Sequence, residues 1–141
     1  MFKLVIDANI ILSALIRDSI TRKILIGSAM EFYAPDYLIE EVEKYISLVS
    51  RKNSLSEEEN KRILDILCNY ITIVGMEFYE ENINEALEIM ADIDIKDTPY
   101  VALALSFKNE GIWSEDKGFF KQDKIKIWKT QEIIEMLRMT T

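Results

Sequence analysis

Leu4-Val5-Ile6-Asp7-Ala8-Asn9-Ile10-Ile11-Leu12 is the stretch of sequence that decides the fold. Its apolar, β-branched beginning predicts a buried strand over residues 2–6, and the helical spacing of the apolar residues that follow predicts a helix over 10–16. A carboxylate directly after a buried strand must lie at the edge of a sheet or be paired. Asp7 is therefore the first candidate for a functional site, although it could instead cap the next helix.

The same alternation of short β-branched runs and longer helical stretches continues along the chain, which indicates a parallel α/β fold. We expect one domain over residues 1–141, an α/β/α sandwich of three layers around a central, mainly parallel sheet. The predicted strands are 2–6, 32–34, 71–74, 112–114 and 125–128, of which 71–74 could instead be the end of a helix. The predicted helices are 10–16, 20–30, 37–49, 56–69, 80–92, 98–109 and 130–138.

Local signals mark several of the helix ends. Asp36 is expected to cap the helix that starts at Tyr37, and Ser56 the helix that follows it. Gly111 is expected to terminate the helix that starts near Thr98. Residues 50–56 form a polar turn between two helices.

Composition excludes several classes of chemistry. The chain has no histidine, so a Ser-His-Asp triad and a zinc site built on histidine are excluded. The single cysteine, Cys68, cannot form an internal disulfide and is expected to be a buried apolar residue. No apolar run approaches the ~18 residues of a membrane span, and the first strand leaves no room for a signal peptide. We therefore expect a cytoplasmic protein that does not enter a membrane.

Charge is unevenly distributed along the sequence. The formal net charge of −8 is unusual for a protein that binds nucleic acid. Acidic residues crowd the segment 77–97, whereas lysines crowd the segment 117–129. The lysine-rich segment could attract phosphate groups or could be an ordinary solvated surface beside an edge strand.

Three further acids follow the pattern set by Asp7. Asp116 follows the strand predicted at 112–114, and Asp97 precedes Pro99 at the start of a helix, where it could also be a simple cap. Glu41 borders the apolar face of its helix and is a better candidate than Glu40 to point into a cleft. Asn9 and Ser114 lie beside these acids and could contact a ligand.

Carboxylates gathered at one edge of a sheet point to a divalent cation. Ligands of parallel sheets bind outside the carboxyl ends of the strands. Crowded carboxylates repel one another unless a cation neutralises them, and oxygen ligands suit Mg²⁺ or Mn²⁺. Such ions can activate a water molecule to attack a phosphodiester.

Four stretches together resemble the PIN domain family, which includes the VapC-type toxins. They are Leu4-Val5-Ile6-Asp7-Ala8-Asn9 at the start, Ala34-Pro35-Asp36-Tyr37-Leu38-Ile39-Glu40-Glu41-Val42, Lys96-Asp97-Thr98-Pro99-Tyr100-Val101-Ala102-Leu103, and Trp113-Ser114-Glu115-Asp116-Lys117-Gly118. Their order, spacing and apolar context agree over nearly the whole chain.

The resemblance implies both a site and an activity. Asp7, Asp97 and Asp116 fall on the metal-binding aspartates of the family and Glu41 on its helix glutamate, while Ser114 falls on a position that is often Ser or Thr. It implies an endoribonuclease that uses Mg²⁺ or Mn²⁺ and a metal-activated water to cut RNA. It further implies the toxin of a toxin-antitoxin pair, with an antitoxin protein as partner and a homodimer as the assembly.

Three other interpretations are open at this point. A catalytically silent PIN-like module could bind a protein partner or RNA, which would suit the acidic charge. A phosphatase of the haloacid dehalogenase type would also place an aspartate after its first strand, but it would want a second aspartate where this chain has Asn9. A receiver-type signalling domain would place its aspartate after a central strand, whereas Asp7 follows the first.

Overall fold

A computed structural model, which describes residues 1–16 and 20–140, shows a five-stranded sheet in which every pair of neighbouring strands is parallel. The strands are β1 (Lys3–Ile6), β2 (Glu31–Pro35), β3 (Ile71–Val74), β4 (Ile112–Trp113) and β5 (Ile127–Trp128). They lie in the order β3-β2-β1-β4-β5. The expected parallel α/β fold is confirmed, and residues 71–74 form a strand.

Helices cover both faces of the sheet. They are α1 (Ala8–Ile16), α2 (Ile20–Gly27), α3 (Tyr37–Lys44), α4 (Ile46–Asn53), α5 (Glu57–Cys68), α6 (Met76–Tyr79), α7 (Ile83–Met90), α8 (Thr98–Leu105) and α9 (Thr130–Thr140). Helix α1 packs with α3, α4 and α5, whereas α8 packs with α6 and α7 and contacts β1, β2 and β4. Because parallel crossovers are right-handed, the connections from β1 to β3 and from β3 to β4 run over opposite faces. The result is the expected α/β/α sandwich.

Strand β1 lies at the centre of the sheet and at its switch point. Its residues Leu4, Val5 and Ile6 are fully buried, as expected for a parallel strand that is covered on both faces. The chain turns from β1 to β2 on one side, and β4 lies on the other side. A crevice at the carboxyl ends of β1 and β4 is therefore the place where such a sheet binds ligands.

Two of the three predicted signals at helix ends are confirmed. The Asp36 carboxylate accepts a hydrogen bond of 3.0 Å from the backbone N–H of Tyr37, and the Ser56 hydroxyl accepts one of 3.0 Å from that of Glu59. Gly111 has a different role. Its φ of +128° is strained for any other residue, and an added Cβ would lie 2.1 Å from the carbonyl oxygen of Lys126. Gly111 thus permits β4 and β5 to approach closely.

The predicted helix over 37–49 is wrong, because it is two helices separated at Tyr45. This residue has φ −105° and ψ 6°, and α4 continues to Asn53, so the polar turn is shorter than expected. Val42, Ile46 and Val49 are all buried on the two sides of the break. Their i, i+4, i+7 spacing runs through the break unchanged, which is why apolar periodicity does not reveal it.

The predicted end of the helix over 98–109 and the predicted start of the strand over 125–128 are also wrong. In both places a side chain takes over hydrogen bonds that a continuing helix or strand would make. Helix α8 ends at Leu105 because the Asn109 side chain donates to the carbonyl oxygens of Ala104 (2.9 Å) and Phe107 (2.7 Å). Strand β5 begins only at Ile127. The Gln122 side chain donates to the carbonyl oxygen of Ile125 and accepts from its backbone N–H, each at 2.9 Å. It thus takes the place of a strand partner.

Candidate metal centre

Asp7 occupies the turn between β1 and α1, and it is both a helix cap and a buried charge. One carboxylate oxygen accepts from the backbone N–H of Ile10 at 3.2 Å, so the capping role is real. The other oxygen accepts from the Ser114 hydroxyl at 2.5 Å. The pKa of Asp7 is raised to about 7, chiefly by burial; the two hydrogen bonds oppose this shift, and the charges of Asp116 and Glu41 add to it.

Ser114 links the ends of β1 and β4. It is fully buried, donates to Asp7, and accepts a 3.0 Å bond from the backbone N–H of Asp116. Asp116 in turn accepts a 2.9 Å bond from the backbone N–H of Gly118, which closes a tight turn. Ser114 therefore positions two of the predicted acids.

Asp97 lies at the first turn of α8, but its carboxylate does not cap that helix. One oxygen, Oδ2, is buried without a hydrogen-bond partner among residues 1–16 and 20–140. The pKa of Asp97 is raised to about 7, chiefly by burial and in addition by the charges of Asp94, Asp116, Asp7 and Glu41. A buried carboxylate oxygen with no donor is what a cation would satisfy.

Glu41 projects from α3 and is held by a tyrosine. The hydroxyl of Tyr100, which is fully buried, donates a short hydrogen bond to the Glu41 carboxylate. Burial raises the pKa of Tyr100 far above its usual range, and the bond to Glu41 adds to this effect, so Tyr100 stays a donor. Glu40 is exposed to solvent. Of the two adjacent glutamates, Glu41 is therefore the one that faces the other acids.

The four predicted acids line one open cleft of about 700 Å³. Asn9, on the first turn of α1, lines it as well, and so does Asp94. The lining cations among the described residues are Lys52 and Lys96. Because negative charge dominates the walls, a polyanion could approach the carboxylates only if a cation reduced their repulsion.

The acids fit a hard divalent cation by their chemistry, although they do not form a closed coordination sphere. Oxygen ligands from carboxylates suit Mg²⁺ or Mn²⁺, and the orphaned Asp97 Oδ2 is available to one. In the part of the chain that the structure describes, no three Asp, Glu or Cys side chains already converge enough to hold an ion. Ion binding would therefore require the side chains to move so that the carboxylates converge.

Sequence reasoning missed two residues at the site, Tyr100 and Asp94. Tyr100 reads as a core residue, and its ring does pack 6.4 Å from that of Phe119, so its bond to Glu41 could not be foreseen. Asp94 could have been found. It is followed by Lys96, whose backbone N–H it accepts at 3.1 Å, a common use of aspartate at the start of a turn.

The two charged segments take different places. Asp94, Lys96 and Asp97 line the cleft, whereas the other acids of the segment 77–97 are exposed elsewhere. The lysine-rich segment forms a separate shallow depression of about 430 Å³, lined in part by Lys117 and Lys129. The Lys129 amine lies 5.1 Å from the centre of the Phe120 ring.

A family model described as a PIN domain matches residues 5–138. No curated protein matches the chain. Among the helices that the structure describes, none has the length and apolar character needed to span a membrane.

Proposed function

Since the chain belongs to the PIN domain family, a nuclease-type fold, we propose that it is an Mg²⁺- or Mn²⁺-dependent endoribonuclease whose metal is held by Asp7, Glu41, Asp97 and Asp116. The observation that carries the proposal is the cleft. Acids from four separate parts of the sequence line it together, at the switch point of the sheet. Two of them have raised pKa values, as expected of functional carboxylates.

The chain supplies no imidazole and needs no protein nucleophile for this chemistry. When bound, the metal would activate water and stabilise the charge that develops on the scissile phosphate. Asp7 and Asp97 are kept largely out of water, which strengthens their interaction with a cation. Their raised pKa values mean that ion binding at neutral pH displaces protons.

Two side chains act through the acids. Ser114 fixes Asp7 and the turn that carries Asp116, whereas Tyr100 fixes Glu41. Both are positioning residues, since each bonds to a carboxylate and is itself fully buried. Lys52 and Lys96 have the charge and the exposure to contact phosphates of an RNA that enters the cleft.

The test is cleavage of a mixed pool of labelled RNA by the purified protein with Mg²⁺, Mn²⁺ or EDTA. We expect cutting with either metal, none in EDTA, and none in Asp7→Asn. Asp123→Asn is the matched control, because Asp123 is exposed in a surface turn. Full activity in Asp7→Asn would remove Asp7 from the mechanism. No cutting with any metal would favour a silent module that binds RNA or protein.

We also propose the biological setting implied by the family resemblance. The protein would be a cytoplasmic toxin, active as a homodimer and silenced by an antitoxin protein. Expression in cells should then arrest growth, and Asp7→Asn should relieve the arrest. Growth that is equally slow with both chains would contradict a toxin that acts by RNA cleavage.

A further inference from the structure

One wall of the cleft carries side chains that the metal centre does not use. Tyr45, at the break between α3 and α4, is 48% exposed, and Leu48, one turn later, is 39% exposed. Both line the cleft, as does Lys52 one further turn along α4. Leu12 and Ile16 of α1 line the same cleft. We call this part of the cleft, lined by Leu12, Ile16, Tyr45, Leu48 and Lys52, the groove.

Tyr45 is not part of the buried core. The buried face of this part of the chain is made by Val42, Ile46 and Val49, which are at most 1% exposed. Tyr45 and Leu48 lie on a neighbouring face that is turned toward the cleft. A large half-exposed aromatic residue inside a cleft, beside a site for phosphodiesters, is the arrangement by which proteins stack an unpaired base.

We propose that Tyr45 stacks on an unpaired base of the RNA substrate, that Leu48 supports the same nucleotide, and that Lys52 contacts a phosphate beyond it. This inference rests on the proposed ribonuclease function and adds to it a subsite for one nucleotide beside the metal centre. Tyr45 lies one turn after Glu41, so the stacked base is close to the metal centre. Lys52 lies about 10 Å further along the helix axis, roughly the length of three stacked nucleotides.

RNA suits this groove better than an apolar peptide does. The groove is continuous with the acids proposed to cut RNA, and the cations that line the same cleft, Lys52 and Lys96, can each contact a phosphate. A base in a duplex has both faces covered by its neighbours and cannot stack on the Tyr45 ring. The subsite therefore selects unpaired nucleotides by geometry.

The experiment measures binding separately from cleavage. An Asp116→Asn background prevents cutting, and the affinity for a labelled single-stranded oligonucleotide and for its duplex is measured in Mg²⁺. We expect Tyr45→Ala to weaken single-strand binding about 10-fold, or ~1.4 kcal/mol, with duplex binding unchanged. Tyr45→Phe should keep the affinity, because it keeps the ring. Tyr70→Ala is the control, since Tyr70 is 44% exposed outside the cleft.

The outcomes separate this subsite from the nuclease itself. Equal single-strand affinities of Tyr45→Ala and its parent would overturn the subsite and would leave any observed cleavage intact. A loss in Tyr45→Phe equal to that in Tyr45→Ala would also overturn it, because the hydroxyl would then be the contact. If Tyr45→Ala selectively loses single-strand affinity and the chain with Asp116 intact cuts no RNA, the subsite is supported and the nuclease is contradicted. Thermal melting of each variant checks that it is folded.

Discussion

Ser114 donates a 2.5 Å hydrogen bond to Asp7 although the two residues are 107 positions apart. The bond joins the carboxyl ends of β1 and β4, which pair in parallel through Val5–Ile112 and Ile6–Trp113. That register places the hydroxyl beside the carboxylate. Because the Ser114 hydroxyl also accepts a hydrogen bond from the backbone N–H of Asp116, one buried side chain holds two of the acids in place.

Ser114→Ala should reduce RNA cleavage by roughly 10-fold to 100-fold, as is typical when a partner of a metal ligand is removed. The Ser114 bond lowers the pKa of Asp7, so its loss should move the acid limb of the pH–rate profile to higher pH. Ser114→Thr, which keeps the hydroxyl, should leave that limb in place. An equal shift in both variants would show that packing, and not the hydrogen bond, is responsible.

Tyr100→Phe should raise the Mg²⁺ concentration needed for half-maximal cleavage by roughly 10-fold. The ring is retained, so the packing against Phe119 and Tyr37 persists, but the bond to Glu41 is lost. The stability loss should be about 1 kcal/mol. The readout is the metal titration of the initial cleavage rate.

Tyr79→Phe is the matched control for Tyr100→Phe. Tyr79 is also buried and donates a 2.8 Å bond to a carboxylate, that of Asp36, outside the cleft. Its loss should lower the melting temperature similarly and leave the Mg²⁺ requirement unchanged. A similar change in the Mg²⁺ requirement of both variants would contradict a specific role of Tyr100.

The sequence reveals those parts of the site that depend on local pattern. Asp7 is visible because a buried strand, an acid and a helix follow one another within a few residues. The bond between Ser114 and Asp7 is not visible, since it depends on which strands pair and in what register. The proton donor to Glu41 is equally hidden, because Tyr100 has the apolar neighbours of any core residue.

The fold, too, is predictable only where the signal is local. The parallel sheet could be predicted because strand-like and helix-like spacings of apolar residues alternate along the sequence. The break at Tyr45 leaves that period undisturbed, so a single helix is predicted where two exist. This boundary matters for function, because it sets the Tyr45 ring in the wall of the cleft.

Lys52→Gln should reduce the salt dependence of RNA binding. Removing one phosphate contact to a single strand lowers the slope of log affinity against log salt by about 0.7. The measurement is a titration of binding over a series of salt concentrations in the Asp116→Asn background. Lys61→Gln, on the exposed face of α5, should keep the slope. Unchanged slopes in both variants would show that Lys52 makes no contact with the phosphate backbone.

Asp97→Asn should make the metal-free protein more stable at pH 8 while abolishing its stabilisation by Mg²⁺. The folded pKa of Asp97 is about 7, and its unfolded pKa is about 3.9, so the folded state holds the extra proton between these values. Stability is therefore full below about pH 4 and falls as pH rises toward 7, by up to a few kcal/mol. The Asp97→Asn variant lacks this loss of stability and retains only the loss caused by Asp7, whose pKa is raised similarly.

Urea unfolding in EDTA from pH 4 to 8 measures the difference in stability, and Asp92→Asn is the control because Asp92 is exposed. Mg²⁺ should reverse the order at pH 8, because the variant lacks the Asp97 carboxylate that is proposed to hold the ion. A parent protein that is equally stable at pH 5 and pH 8 in EDTA would contradict the raised pKa of the buried Asp97 carboxylate, on which this prediction depends.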